Sequence, residues 1–278
     1  GGSANYTDLK NNGLGEGTLQ ARYIRGASGD KPYTLGKYES TRTRAAIAEL
    51  AANGGAPMGF YTRFTDPAAR KVVSQYYRFI QGHDAVYRRN RSHAEAVLLF
   101  PRKSVHAGDV GLVEAFRQTG RALLDRHVLF DILPDDLAKA DRLSGYSKVY
   151  QAGDGAQEGQ TKFSAPPTVR VSASRPATGD ALHFHFVNYN RTEPSQAKSP
   201  GGGIQDEKPI SVGGFRCTVP IPAGNKLRGV RFFTPEKKNP VEVAYDVRET
   251  GVVHFIMPEF LVYAVVELSL QPGSSDAP

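Results

Sequence analysis

The sequence predicts a chain of mixed class, α/β in its first half and all-β in its second. Three observations carry this. Residues 31–101 alternate short apolar runs with amphipathic helical stretches, the pattern of parallel βα units. A nearly continuous apolar run, AEAVLLF at 94–100, then opens a second α/β unit. From Pro167 onward, short alternating segments are separated by Gly, Pro and Asn, the rhythm of antiparallel strands and turns. The expected parts are the tail of a (β/α)8 barrel over 1–92, a partial Rossmann- or flavodoxin-like α/β unit with its linker over 93–165, and a C-terminal antiparallel β-sandwich over 166–278. A whole barrel needs about 250 residues. The full chain has 278, so only part of one fits beside the other two units.

Residues 1–30 are rich in Gly, Asn and polar side chains, with LQARYI (19–24) the one stretch suited to a strand. PYTLGKY (32–38) precedes a helical pattern and reads as a buried strand. Ser40 or Thr41 is placed to cap that helix by accepting from the free N–H groups of its first turn. Ala46, Ile47, Leu50 and Ala51 form its inward stripe. Asn53-Gly54-Gly55 ends it, because Gly reaches the left-handed conformation without steric cost. PMGFYTRF (57–64) is a second short strand. Asp66-Pro67 starts the next helix, whose buried face is Val72, Val73, Tyr76, Tyr77, Phe79 and Ile80.

AEAVLLF reads as a central parallel strand, followed by a helix from about Val110 to Arg126. Leu112, Phe116, Gly120, Leu123 and Leu124 fall on one side of that helix. HVLFDIL (127–133) and YSKVY (146–150) supply two more strands, with Asp135 and Asp136 as helix-cap residues after Pro134. A doubly wound unit would continue, but a polar, Gly-rich connector follows at 151–167. In the β region, ALHFHFVNYN puts His183 and His185 on one strand face and Phe184 and Phe186 on the other. The histidine face is expected to be solvated.

Composition narrows the function classes. With 40% hydrophobic and 23% charged residues, the chain is ordinary for a globular protein. No run approaches the roughly 18 apolar residues of a membrane span, so no membrane partner is expected. The first residues lack the basic and apolar regions of a signal peptide and read as a loop cut from something longer. The net charge of +7 is spread among acids and aromatics with no dense basic block, so nucleic acid is not an expected partner. A single cysteine, Cys217, excludes an intrachain disulfide and an all-cysteine metal site.

Few constellations carry chemistry. Gly201-Gly202-Gly203 lacks the Lys-Ser/Thr and the strand-to-helix setting of a phosphate loop. His183 and His185 would need a third ligand, from His254 or the acid pair at 206–207, to hold a metal. No metal or other cofactor is expected. There is no Gly-x-Ser-x-Gly elbow to anchor a triad. Glu39 stands out, placed where a strand would meet its helix, the barrel end that presents catalytic groups. Glycoside hydrolysis needs two such carboxylates, about 5 Å apart for retention and farther apart for inversion. Alternatively, Glu39 is a first-turn residue stabilised by the helix dipole and paired with Arg42 or Arg44. The residues alone favour that second reading. Tyr33, Tyr38, Phe60 and Tyr61 surround the same rim and suit either stacking on sugar rings or packing.

The stretch AELAANGGAPMGFY…DPAARKVVSQYYRFIQGHDAVYRRNRSHAEAVLLFP resembles the barrel-to-second-domain junction of bacterial β-galactosidase-type glycoside hydrolases that carry a trimerisation domain. HFHFVNYNRTEP and MPEFLVYAVVEL are similar to their terminal sandwich. The likeness is one of texture and order across most of residues 31–278. It implies a catalytic barrel followed by an amidotransferase-like α/β domain used for oligomerisation. It also implies carbohydrate as partner, a homo-oligomer, and hydrolysis of a β-linked glycoside by two carboxylates in the full-length parent. Glu39 matches the place of the family's nucleophile at the end of the seventh barrel strand, with Tyr38 and Tyr61 as substrate-binding neighbours. The family's acid/base Glu belongs near a fourth strand that this chain does not contain, so the chain itself is expected to be inactive. A reading from another class is a non-catalytic carbohydrate-binding or oligomerisation module.

Overall fold

The structure, a computed structural model, describes residues 14–29, 31–38, 43–56, 59–61, 67–192, 208–248 and 251–273, with 37, 38 and 59–61 described by backbone alone. Its first element corrects the sequence reading, because LQARYI lies inside helix α1 (Glu16–Ser28) and not in a strand. The buried residues Thr18, Leu19, Ala21, Arg22 and Gly26 recur at helical spacing along it. Gly26 is where α1 touches its neighbour: a Cβ there would meet the Ile132 carbonyl oxygen at 1.8 Å.

Strands β1 (Gly36–Tyr38) and β2 (Gly59–Tyr61) form a parallel pair joined through helix α2 (Thr43–Ala52). The predicted strand over 32–38 is shorter than expected, since Pro32–Leu35 stay outside the ladder. Helix α2 is buried nearly all round rather than on one stripe. Its small alanines let several elements close on it at once. The Gly55 N–H bonds back to the Leu50 carbonyl and Gly54 adopts φ +81°, so Asn53-Gly54-Gly55 ends the helix as predicted. Helix α3 (Pro67–Gly82) buries Val72, Val73, Tyr76 and Phe79, and a short α4 (Asp84–Tyr87) follows. Among the described residues, β1 and β2 are the only parallel strands before residue 96. Strand β3 (Asn90–Ser92) then pairs antiparallel with residues 174–176.

Strand β4 (Ala96–Phe100) is the middle of a three-stranded parallel sheet. Helices α5 (Arg102–His106) and α6 (Gly111–Asp125) cross to β5 (Phe130–Pro134), and a 3-10 turn (Asp135–Leu137) and α7 (Ala140–Leu143) cross to β6 (Lys148–Tyr150). The order β5-β4-β6 is the 2-1-3 start of a flavodoxin-like sheet. Phe116, Gly120, Leu123 and Leu124 face inward as expected, whereas Leu112 is 43% exposed. The first turn of α6 runs past the apolar cluster, which that helix enters only at Phe116. Asp135 and Asp136 do not cap their own turn. Asp136 pairs with Arg102 at 2.6 Å and Asp135 accepts the Lys103 N–H at 3.1 Å, tying the loops beyond β4 and β5 together.

The remaining strands are β7 (Lys162–Phe163), β8 (Val169–Pro176), β9 (Ala181–Asn188), β10 (Arg191–Thr192), β11 (Lys208–Pro209), β12 (Arg216–Pro220), β13 (Asn225–Phe233), β14 (Val241–Glu242), β15 (Tyr245–Arg248), β16 (Val252–Ile256) and β17 (Tyr263–Pro272). They build two larger antiparallel sheets, β14-β13-β17-β9-β8-β3 and β15-β16-β12-β7, and a two-stranded one, β10-β11. Phe184, Phe186, Phe232 and Val266 of the first share one apolar core with Phe163, Cys217, Val253 and Phe255 of the second. The opposite face of the six-stranded sheet is not solvated: His183 is 3% and His185 2% exposed. Val187, Tyr263 and Val265 on that face pack with Ile47, Tyr76, Phe79 and Val86 of the helices. The six-stranded sheet is thus a middle layer, covered on both sides, and the solvated histidine face is overturned.

Arg22 stands where α1, α2, the parallel sheet and the six-stranded sheet meet, and it is 2% exposed. Its Nε donates to Asn53 Oδ1 at 3.0 Å, and its two Nη groups donate to the Phe130 carbonyl at 3.0 Å and the Val171 carbonyl at 2.8 Å. The guanidinium also lies 4.4 Å over the Phe130 ring. Burial, ahead of the nearby Arg25 charge, lowers its pKa to about 9, which still leaves it charged at neutral pH. Arg22→Met removes a costly buried charge but orphans three acceptors, at about 1–3 kcal/mol each. A net loss of about 3 kcal/mol, on the order of 10 °C in Tm, is expected in calorimetry. Arg22→Lys should lose nearly as much, because an ammonium cannot reproduce the planar fork. An unchanged Tm in both variants would remove the clamp from this description.

Candidate functional site

Strands β1 and β2 pair with Gly36 opposite Gly59, Lys37 opposite Phe60 and Tyr38 opposite Tyr61. Tyr38 and Tyr61, the predicted substrate-binding residues, therefore hold matched backbone positions at the C-terminal ends of neighbouring strands. Glu39, the predicted catalytic residue, lies outside the described residues, as do Ser40, Thr41, Arg42 and the side chains of Tyr38, Phe60 and Tyr61. Gly201-Gly202-Gly203 and the acid pair at 206–207 lie outside them too. Tyr33 does not join this rim, since its hydroxyl donates to the Asn53 carbonyl at 2.9 Å.

The described polar chemistry is concentrated on the helix-covered face of the six-stranded sheet. His185 Nδ1 is 2.9 Å from Tyr263 Oη, and its Nε2 is 3.1 Å from Ser174 Oγ. Tyr263 Oη is in turn 3.1 Å from Tyr87 Oη. His183 Nε2 faces a Glu267 carboxylate oxygen at 3.2 Å, and its Nδ1 is 3.2 Å from the Asn90 amide nitrogen. That amide nitrogen also meets the Ala85 and Val86 carbonyls. Its orientation is therefore set, and His183 Nδ1 acts as acceptor with Nε2–H the donor to Glu267.

Electrostatics follow from burial. Enclosure first, then the neighbouring His183 and Arg25, holds His185 down at about 3. Burial pushes the Tyr87 and Tyr263 hydroxyls upward. For Glu267 burial works against the charge, yet hydrogen bonds from His183, Arg231 and Ser269 outweigh it and hold the carboxyl at about 2. Ser174 and His185 border a cavity of about 90 Å³ and are spaced like a nucleophile and its base. A base with so low a pKa takes up protons poorly at neutral pH, and its other partner is a tyrosine and not a carboxylate. This layer orders the sheet against the helices.

Among the described residues no group of three or more His, Cys, Asp or Glu is arranged to hold a metal ion. His254 sits on the other sheet, 3.1 Å from Thr218 Oγ1. Burial raises the Cys217 thiol, which makes it unreactive. The buried polar layer escaped sequence reasoning, although one signal was present. ALHFHFVN has no Lys, Arg, Asp or Glu on either face, which is the composition of a strand covered on both sides. At the N-terminal ends of β1 and β2, opposite the tyrosine rim, a cleft of about 770 Å³ opens between Tyr77, Ile80, Asp84 and Tyr87.

The alpha-L-fucosidase isoenzyme 2 from Paenibacillus thiaminolyticus matches 93% of this chain with a TM-score of 0.65, at 12% sequence identity. The two chains share a fold. This chain spans 63% of the length of that enzyme. A cycloisomaltooligosaccharide glucanotransferase from a Paenibacillus species matches 84% of this chain and 28% of its own, with a TM-score of 0.42 and 12% identity. No protein-family model and no curated protein matches the chain. At this identity the fucosidase establishes shared architecture, and activity has to be argued from residues.

Two titratable groups of the buried layer, His185 and Glu267, act on stability in the same direction on acidification. His185 has a folded pKa of about 3 against 6.5 when free. As pH falls below 6.5 the unfolded chain takes a proton that the folded chain refuses, and stability drops. Glu267 is held at about 2 against 4.5, so its contribution is present above 4.5 and lost as pH falls toward 2. Thermal melts should therefore show a loss on the order of 4 kcal/mol between neutral pH and about pH 4. His185→Gln should flatten that slope, and an equally steep profile in the variant would refute the assignment.

Proposed function

We propose that this chain is part of a glycoside hydrolase, made of the last barrel units over 1–92, a partial amidotransferase-like α/β unit over 93–165, and a β-sandwich over 166–278. The observation that carries the reading is the in-register parallel pair β1–β2 with α2 as its crossover and Tyr38 opposite Tyr61. Glu39 directly follows Tyr38 in the chain. On this reading it stands at the C-terminal rim of a barrel strand, the position from which such folds present catalytic groups. The fold shared with the fucosidase supports the class, and the 2-1-3 parallel sheet supports the second unit.

In the full-length parent, Glu39 would attack the anomeric carbon of a β-linked glycoside such as a galactoside. A second carboxylate from another strand would protonate the leaving oxygen and later activate water. Tyr38 and Tyr61 would offer ring faces to the sugar. The described residues supply one parallel strand pair at this rim. The reaction geometry needs two carboxylates flanking one carbon, so hydrolysis by this chain alone is not expected.

Nitrophenyl β-galactoside and α-L-fucoside assays test this on both the chain and its full-length parent. The chain alone should give background rates. The parent should hydrolyse the β-galactoside in preference to the α-L-fucoside, with a loss on the order of 10⁴-fold in Glu39→Gln. Turnover by the chain alone would contradict the incomplete-site reading, and a fully active Glu39→Gln parent would remove Glu39 as nucleophile.

A further inference from the structure

The cleft at the N-terminal ends of β1 and β2 has the size and chemistry of a binding site that the catalytic reading leaves unused. Its volume of about 770 Å³ falls within the usual range for ligand pockets, roughly 300–1,000 Å³. It shares Gly54, Gly55, Tyr87 and Asn90 with the smaller cavity behind it, so a wide mouth leads to a polar recess. The floor is made of small residues, among them Ala51, Gly54, Gly55 and Ala56. Tyr77 and Tyr87 form part of the wall. Small side chains let a ring lie close to the backbone, and tyrosines offer flat apolar faces.

Two features set the polar character of the cleft. Asn90 Oδ1 is buried in this wall with no hydrogen-bond partner. Its amide nitrogen is already committed to the Val86 carbonyl and His183, so rotation of the amide would not relieve it. That oxygen is sealed from solvent behind the cleft surface, so it marks the wall as polar without itself reaching a ligand. The second feature is charge. Arg25 at the recess is matched by Asp131, and Arg88 at the mouth by Asp84. Lys31, Arg89 and Arg91 also line the two cavities, and among the described residues they make no ion pair. Arg89 further adopts φ +61°, a left-handed conformation uncommon for a side chain of its size, at the lip of the cleft.

We propose that this cleft binds a carboxylate-bearing sugar, such as a uronic acid, at a site distinct from the Tyr38–Tyr61 rim. A ring face would lie against Tyr77 or Tyr87, and the carboxylate would meet Lys31, Arg89 or Arg91. The site lies at the strand ends opposite the Tyr38–Tyr61 backbone pair, so occupancy there is expected to be independent of turnover.

Calorimetric titration of the chain with digalacturonate, neutral galactobiose and adenosine monophosphate tests it. Digalacturonate should bind saturably and weaken by about three- to fivefold in Arg89→Gly and again in Lys31→Ala. Glycine retains the left-handed backbone, so Arg89→Gly removes the cation without strain. Binding should also weaken in about 0.5 M salt, where surface charges are screened. Galactobiose binding as tight as digalacturonate would overturn the anionic assignment, and equal affinity for the nucleotide would overturn the sugar assignment. No binding, or binding untouched by both variants and lost in Glu39→Gln, would overturn the site itself. The hydrolysis assays give an independent readout, so either proposal can fail without the other.

Discussion

A buried guanidinium has to be surrounded by acceptors, and that requirement organises this molecule. Arg22 reaches Asn53 at the end of α2, Phe130 on β5 and Val171 on β8. Those three acceptors belong to three different elements. Once they converge on one planar group, α1 must lie flat against β5, and only glycine at position 26 permits the approach. Neighbouring contacts repeat the pattern at lower stakes. Thr18 donates to Glu49 at 2.6 Å, Ser172 donates to the Ala52 carbonyl, and Arg25 joins Asp131 to the same seam. The end of α2 is therefore fixed from both sides, and so is the chain direction into β2.

That seam separates two kinds of surface. On one side, the parallel pair β1–β2 presents its C-terminal ends, with Tyr38 and Tyr61 in register. On the other, the N-terminal ends open onto the basic cleft around Asn90. Between these surfaces and the apolar core of the two antiparallel sheets lies the layer of His183, His185, Tyr87 and Tyr263. Tyr87, Tyr263 and His185 bond to one another there, and His183 bonds to Glu267 and Asn90. The low pKa of His185 follows from that packing. The histidines thus belong to the assembly of the fold and leave chemistry to its margins.

The sequence was legible wherever a local rule was decisive. Asn53-Gly54-Gly55 had to end a helix, and it does. The run AVLLF had to be a covered parallel strand, and β4 is one, flanked on both sides. Pro67 begins α3 as a first-turn proline should. Reading failed where a distant partner decided the outcome. LQARYI alternates plausibly as a strand, but Arg22 finds its acceptors only when the segment is helical. His183 and His185 looked solvated because the alternation of one strand says nothing about what covers its second face. Leu112 fits an apolar stripe, yet the cluster it would join begins one turn later. Of the predicted site, the strand positions of Tyr38 and Tyr61 are placed by the β1–β2 register, while Glu39 lies outside the described residues.

Hydrogen exchange measured by mass spectrometry on the native chain addresses the Arg22 seam most directly. If the guanidinium joins these pieces into one cooperative unit, amides in 16–28, 43–52, 130–134 and 169–188 should open together. Their protection should then agree within about tenfold, well above that of surface loops. Exchange of α1 and α2 several orders of magnitude faster than β8 and β9 would contradict it, because the helices would then be detaching while the sheet stays folded.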